Sequence, residues 1–233
     1  MPFVSISAQR TIAYGDNFSD FLSVNGEVDT LYFNAVAGDK ITIRTANPSS
    51  TFDGKIQVFT PNNVLVTSKS ANRVTRIDSL DLSQTGRYKM LISDANNNYS
   101  GSYGISLQKL SASSLTPIAY NYNEDFFISN YAEMKAFPFS AQSGDKVSSR
   151  ICSPSNISLT LQVYNPTGNL IFTKAGTNTV RLDSLVLPTQ GIYTILMFNT
   201  EGGILTLVWV YPYKELLIRQ MLLYLLLHYL LNL

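Results

Sequence analysis

Residues 38–49 read GDKITIRTANPS and residues 144–155 read GDKVSSRICSPS, an offset of 106 (144 − 38). A phrase that returns at domain-sized spacing is the mark of a duplicated structural unit. The correspondence runs on in both directions. Upstream, Glu27 and Phe33 match Glu133 and Phe139 at the same offset. Downstream, a one-residue deletion lowers it to 105, where Gln57, Val58 and Pro61 match Gln162, Val163 and Pro166 (162 − 57). RIDSLDLSQTGRYKMLIS at 76–93 then matches RLDSLVLPTQGIYTILMF at 181–198. With 233 residues the chain is long enough for two ordinary domains, each with its own core.

Within each copy apolar and polar residues alternate, the period that puts successive side chains on opposite faces of a sheet. Leu31, Phe33 and Ala35 share a face, and Ile41 and Ile43 do so while Thr42 and Arg44 face away to the wet side. Ile56 with Val58, Tyr88 with Met90 and Ile92, and Tyr103 with Ile105 and Leu107 repeat the pattern. Clusters of turn residues, AGDK, NPSS, PNN, QTG and DANNN, separate these runs. Short strands at this spacing predict an antiparallel β-sandwich. The fold class is therefore all-β: two tandem antiparallel, jelly-roll-like β-sandwiches with a short apolar C-terminal tail of helical period. The boundaries are a first sandwich over 11–108, a Ser/Thr-rich linker over 109–119, a second sandwich over 120–210 and the tail over 211–233.

Gly86 and Gly191 stand two residues before Tyr88 and Tyr193. The glycine lets the chain turn sharply into a strand whose tyrosine enters the core near its rim, with the hydroxyl left to bond a loop backbone. Both are read as structural.

The order of motifs resembles the bacterial pre-peptidase C-terminal domain family, in a tandem pair. GEVDTLYFNAVAGDKITIRT, KIQVFTPNN, TGRYKMLIS and SGSYGISLQ carry the likeness in the first copy; SAQSGDKVSSRI, LTLQVYNPTGN and TQGIYTILM carry it in the second. The resemblance implies a non-catalytic accessory or adhesive module of an exported bacterial protein, secreted or at the cell surface, binding an extracellular protein or polysaccharide or acting as a spacer. An alternative is the accessory part of a secreted peptidase or other hydrolase whose catalytic domain lies outside this chain. MPFVSISAQR lacks the basic start and apolar run of a secretory signal, so the setting rests on the resemblance alone. The second copy departs from the pattern: Lys135 stands at the position of Asp29, and Pro138 falls within a strand, which places that strand at a sheet edge.

Composition narrows the chemistry. Charged residues make up 14% and the net charge is +1, without the basic stripe of a nucleic-acid binder, so no nucleic-acid partner is expected. The single cysteine, Cys152, rules out an intrachain disulfide and is read as a buried apolar residue. The single histidine, His228, falls in the tail, so neither sandwich holds a histidine base for nucleophilic catalysis or for zinc hydrolysis. Asp39 with Asp145, and Asp78 with Asp183, recur once per copy and are read as turn or ladder-end residues, not paired catalytic acids. No enzyme activity is expected, and no cofactor. The loop SDANNNYSG offers Asp94, Asn96, Asn97 and Asn98 to calcium, against the plainer reading of a polar hairpin loop.

A ligand face would show as aromatics out of phase with the core. Tyr32, Phe59 and Tyr164 meet that condition, and Phe59 and Tyr164 correspond between copies (164 − 59 = 105). They are candidates either for stacking on a ligand or for burial against the neighbouring domain.

From about Gly203 the composition shifts, and KELLIRQMLLYLLLHYLLNL is apolar on every side. It reads as a docking helix, as a membrane-surface anchor, or as an out-of-frame replacement of the last strand's continuation; membrane contact is expected only through this tail. In this reading Leu205, Leu207 and Trp209 replace Tyr103, Ile105 and Leu107. Oligomeric state is not legible.

Overall fold

The alternating segments are strands. The computed structural model describes residues 9–49, 51–111, 116–120, 122, 124–153 and 156–214. The first half holds β1 (Arg10–Thr11), β2 (Asn17–Leu22), β3 (Val28–Ala35), β4 (Lys40–Ala46), β5 (Asp53–Phe59), β6 (Leu65–Asn72), β7 (Val74–Asp81), β8 (Gly86–Asp94) and β9 (Gly101–Lys109). The second holds β10 (Glu124–Ile128), β11 (Met134–Ala141), β12 (Lys146–Cys152), β13 (Ser158–Tyr164), β14 (Leu170–Thr177), β15 (Thr179–Val186), β16 (Gly191–Asn199) and β17 (Leu205–Lys214).

Each half is a pair of sheets. The first stacks β1-β3-β8-β5-β6 on β2-β9-β4-β7, and the second stacks β11-β16-β13-β14 on β10-β17-β12-β15, the same strand order apart from the added edge strand β1. Among the described residues all ladders are antiparallel except the short β1–β3 pair, where Arg10 faces Leu31, and an isolated bridge from Ile118 to Phe139. The residues that alternation placed inward form two separate cores. One gathers Phe33, Ile43, Val58, Tyr88 and Ile105; the other gathers Phe139, Ile151, Val163, Tyr193 and Ile195. Cys152 is 7% exposed.

The shared phrases mark bends. Gly38 and Gly144 have φ of 90° and 83°, and their N–H groups donate to Leu82 O and Leu187 O, each at 2.8 Å. Only a residue without Cβ takes such a backbone freely. Gly86 and Gly191 have φ of 146° and 145°, and a Cβ on either would stand 2.8 Å from Pro61 Cγ or 2.6 Å from Pro166 Cγ. The tyrosines that follow close the corner: Tyr88 Oη accepts from Gln84 N at 3.1 Å, and Tyr193 Oη accepts from Thr189 N at 3.2 Å. Pro138 lies on β11, an edge strand, where its carbonyl accepts from Ile118 N at 2.7 Å.

Two sequence expectations need correction. Ile105 of β9 faces Thr45 of β4, while Val210 of β17 faces Ile151 of β12, so the last strand keeps the offset of 105 (210 − 105), not the one that aligned Leu207 with Ile105. Ladder pairing with β12 sets this register, whereas apolar spacing alone admitted a slipped alignment. The strand also runs beyond 210, with Lys214 facing Val147. Residues 215–233, the remainder of the tail, lie outside the described residues.

The two halves meet through unlike faces. The outer face of β2-β9-β4-β7 in the first lies on the outer face of β11-β16-β13-β14 in the second. Gln108 Nε2 donates to Met134 O at 3.0 Å, and Met134 N donates to Asn17 Oδ1 at 3.2 Å. A third apolar cluster, Leu110 with Met134, Tyr164, Leu196 and Phe198, fills the contact. Gly104 sits under it: a Cβ there would be 1.8 Å from Tyr131 O. In the second half the register position of Gly104 is held by Trp209.

Candidate functional site

β3, β8 and β5 are neighbours, and their ladder lines up Tyr32, Lys89 and Phe59 in one row on the outer face of the first sandwich. Leu65 of β6 extends the row from Phe59. Period-two geometry produces this: Leu31, Phe33, Val58, Tyr88 and Met90 turn inward, so the residues between them turn out. Tyr32 and Phe59 are half-buried, each under a cation. The Arg87 guanidinium carbon lies 3.8 Å from the Tyr32 ring centroid, and Lys89 Nζ lies 4.5 Å from that of Phe59. Lys89 also donates to Asn63 Oδ1. A ring holding a cation this close contributes up to about 1 kcal/mol at an exposed site, enough to orient the side chain.

Tyr164 does not join them. Its side chain is 1% exposed and its hydroxyl donates to Gln162 Oε1 at 2.8 Å. Burial pushes its pKa up to about 12. Alternation does send it outward from its own sheet, but that sheet's outer face is covered by the first sandwich, so Tyr164 is an inter-domain residue and not part of a ligand face shared with Tyr32 and Phe59.

The covering side is organised by two arginines. Arg44 is 1% exposed and donates from Nη2 to Asn199 O at 2.6 Å and Thr200 O at 2.9 Å. Arg76, its ladder partner, donates to Gln162 Oε1 at 2.6 Å and pairs with Asp78. Both guanidiniums lie over the Phe198 ring, at 4.8 and 4.4 Å. Burial, with Arg76 beside it, lowers the Arg44 pKa. Sequence alternation gave Arg44 an outward direction and hence water; the water side is in fact the other domain.

Of the carboxylates that recur per copy, Asp39 and Asp145 hold turns. Asp39 Oδ2 accepts from Val36 N at 3.0 Å and from Tyr14 Oη at 2.8 Å, and its Oδ1 pairs with Lys109 Nζ at 2.7 Å. Burial alone would raise its pKa, but the Lys109, Val36 and Tyr14 hydrogen bonds bring it below the ordinary carboxylate value. Asp145 accepts from Gln142 N and from Tyr120 Oη. The Tyr14–Asp39 and Tyr120–Asp145 pairs were missed in the sequence, although the constant offset (120 − 14 = 106) was there to find. Asp78 and Asp183 bond the arginines two residues before them on the same strand.

In the SDANNNYSG loop, Asp94 is 1% exposed, and its oxygens accept from Asp53 N at 2.8 Å and Asn98 N at 2.9 Å. Asn96 bonds Asp53, and Asn97 adopts φ of 56°. The one carboxylate of the loop is thus turned to backbone donors. Among the described residues no three His, Cys, Asp or Glu side chains gather as a metal site.

No protein-family model matches the chain, and no curated protein matches it. Among solved structures it is similar to the pre-peptidase C-terminal domain of a collagenase from Bacillus anthracis, at 15% identity and a TM-score of 0.36, over 44% of this chain and 96% of that one. A periplasmic inhibitor of g-type lysozyme from Aeromonas hydrophila matches at 17% identity and a TM-score of 0.26, over 43% of this chain and 100% of that one. The PBSX exported protein XepA matches at 12% identity and a TM-score of 0.28, over 85% of this chain and 86% of that one.

Proposed function

We propose that the chain is a non-catalytic tandem β-sandwich module of an exported bacterial protein, secreted or at the cell surface, and that it binds an extracellular protein or polysaccharide through the outer face of β3, β8 and β5. The observation behind this reading is a contrast between copies. Phe59 and Tyr164 occupy the same position in their sandwiches, yet Tyr164 is enclosed by a neighbouring domain and Phe59 faces out. A face of this type is therefore one that accepts a partner surface, and the first sandwich offers it unoccupied by its own sister domain. The motif resemblance supports the exported setting, and confinement of the only histidine to the tail supports a non-catalytic role. A place beside a secreted peptidase or other hydrolase uses the same face.

Pull-down on insoluble polysaccharides and on immobilised extracellular-matrix protein, with the full chain and with Phe59→Ala and Tyr32→Ala, tests it. Retention of the wild type that drops in both variants, at unchanged melting temperature, is the expected result. Retention that ignores both substitutions moves the function off this face.

A further inference from the structure

The two copies differ in charge at the face they share. Lys55, Arg87 and Lys89 in the first sandwich stand where the second has Thr160, Ile192 and Thr194 (160 − 55 = 105, 192 − 87 = 105, 194 − 89 = 105). Thr160 and Thr194 are buried, whereas Lys55 and Lys89 are half-exposed and Arg87 is exposed. In the ladder Lys55 faces Ser93, four residues along β8 from Lys89, so the cations spread over roughly 20 Å of one sheet face at about 3.3 Å per residue. The outward carboxylate on β5, Asp53, lies at the far end of the strand and is bonded by Asn96.

We propose that this face binds an acidic polysaccharide, one bearing carboxylates or sulfates. The inference rests on the binding-face reading above and adds the charge of the ligand. Three observations select the occupant. The cations line a single face that the sister domain leaves open, and an anionic polymer running along β8 would meet Arg87, Lys89 and Lys55 in turn. Gln57 and Thr30, facing Leu91 from either side, set neutral polar groups between the charges. The Tyr32 and Phe59 rings lie beneath Arg87 and Lys89, so neither offers the open face on which a nucleic-acid base would stack.

A second copy of the chain is opposed by like charge. The surface that covers this type of face inside the molecule is built on the Arg44–Arg76 ladder pair, and its counterpart in the second sandwich is the Arg150–Arg181 pair, exposed and in register. Asp183 offsets Arg181 at 3.0 Å, so the surface keeps a net positive charge, and stacking it on Lys55, Arg87 and Lys89 sets like charge against like, which disfavours the self-contact.

The test uses the full chain on immobilised polygalacturonate, on dextran and on a single-stranded oligonucleotide, with sedimentation velocity alongside. The variant is Lys55→Thr with Lys89→Thr, the residues the other copy already holds on the same strands. Expected are retention on polygalacturonate alone, release by salt, a loss of about tenfold in affinity in the double variant, and a monomer throughout. Equal retention on dextran, unchanged in the double variant but lost in Phe59→Ala, overturns the charge claim and leaves the binding face standing. Preference for the oligonucleotide, or a dimer that the double variant alters, assigns the face to nucleic acid or to a second copy instead. Retention on none of the supports overturns the proposal.

Discussion

Arg44 of β4 donates to the main-chain carbonyl of Asn199 at 2.6 Å, across 155 residues of sequence and from one sandwich into the other. The same guanidinium leaves Nε and Nη1 buried without a hydrogen-bond partner. It therefore joins the domains and carries a desolvation cost at once.

Truncating it separates these effects. Arg44→Ala removes the donors to Asn199 O and Thr200 O and opens space over Phe198, and is expected to destabilise by about 2–4 kcal/mol. Arg44→Met keeps the packing over Phe198 while relieving the unpaired donors, and is expected to cost less. Urea denaturation of both variants checks the order; a Met variant weaker than the Ala variant would refute it.

Gly104 tests the interface without touching either core. Gly104→Ala places a Cβ against the Tyr131 carbonyl, backbone that cannot rotate away, so the domains are expected to part locally at a cost of about 1–3 kcal/mol. The radius of gyration by small-angle scattering should rise while far-ultraviolet circular dichroism stays unchanged.

Gly86→Ala and Gly191→Ala should act alike, because each position combines a positive φ with a proline ring under the missing Cβ. A loss of about 1–3 kcal/mol is expected in each. Tyr88→Phe, which deletes the acceptor for Gln84 N, should cost about 1 kcal/mol. Thermal melting is the measurement, and wild-type stability in either glycine variant would remove the corner argument.

Alkaline pH should unfold the protein. Burial foremost, reinforced by Asp39, Asp29 and Asp145, raises the pKa values of Tyr14, Tyr103 and Tyr120 well above the ordinary 10.0. Below pH 10 these phenols are protonated in both states. Above it the unfolded chain releases protons that the folded chain retains, so stability falls as pH rises. Tyrosinate absorbance is expected to appear in step with loss of structure, and Tyr103→Phe should flatten the decline.

Calcium at millimolar concentration is expected to leave the melting temperature unchanged, since Asp94 already accepts from Asp53 N and Asn98 N. Asp94→Ala should destabilise by about 1–3 kcal/mol with or without the metal.

What the sequence determined is local. Alternation set which way each residue of KITIRT or RYKMLIS points from its own sheet, because a strand's period of two is a property of the backbone. Turn chemistry at Gly38, Gly86, Gly144 and Gly191 set where strands end, because the positive φ at these positions strains a residue with a Cβ. The Tyr32–Lys89–Phe59 row was half legible: the outward phase of both rings was there, the cations over them were not, since cross-strand neighbours depend on register. Only the tertiary structure decided what lies outside each sheet. Arg44 and Tyr164 point outward as alternation requires, yet both are 1% exposed, because one sandwich docks its β2-β9-β4-β7 face on the other's β11-β16-β13-β14 face. That docking depends on the fit of Gly104 beneath Tyr131 and of two guanidiniums over Phe198, contacts between surfaces far apart in the chain that no local period encodes.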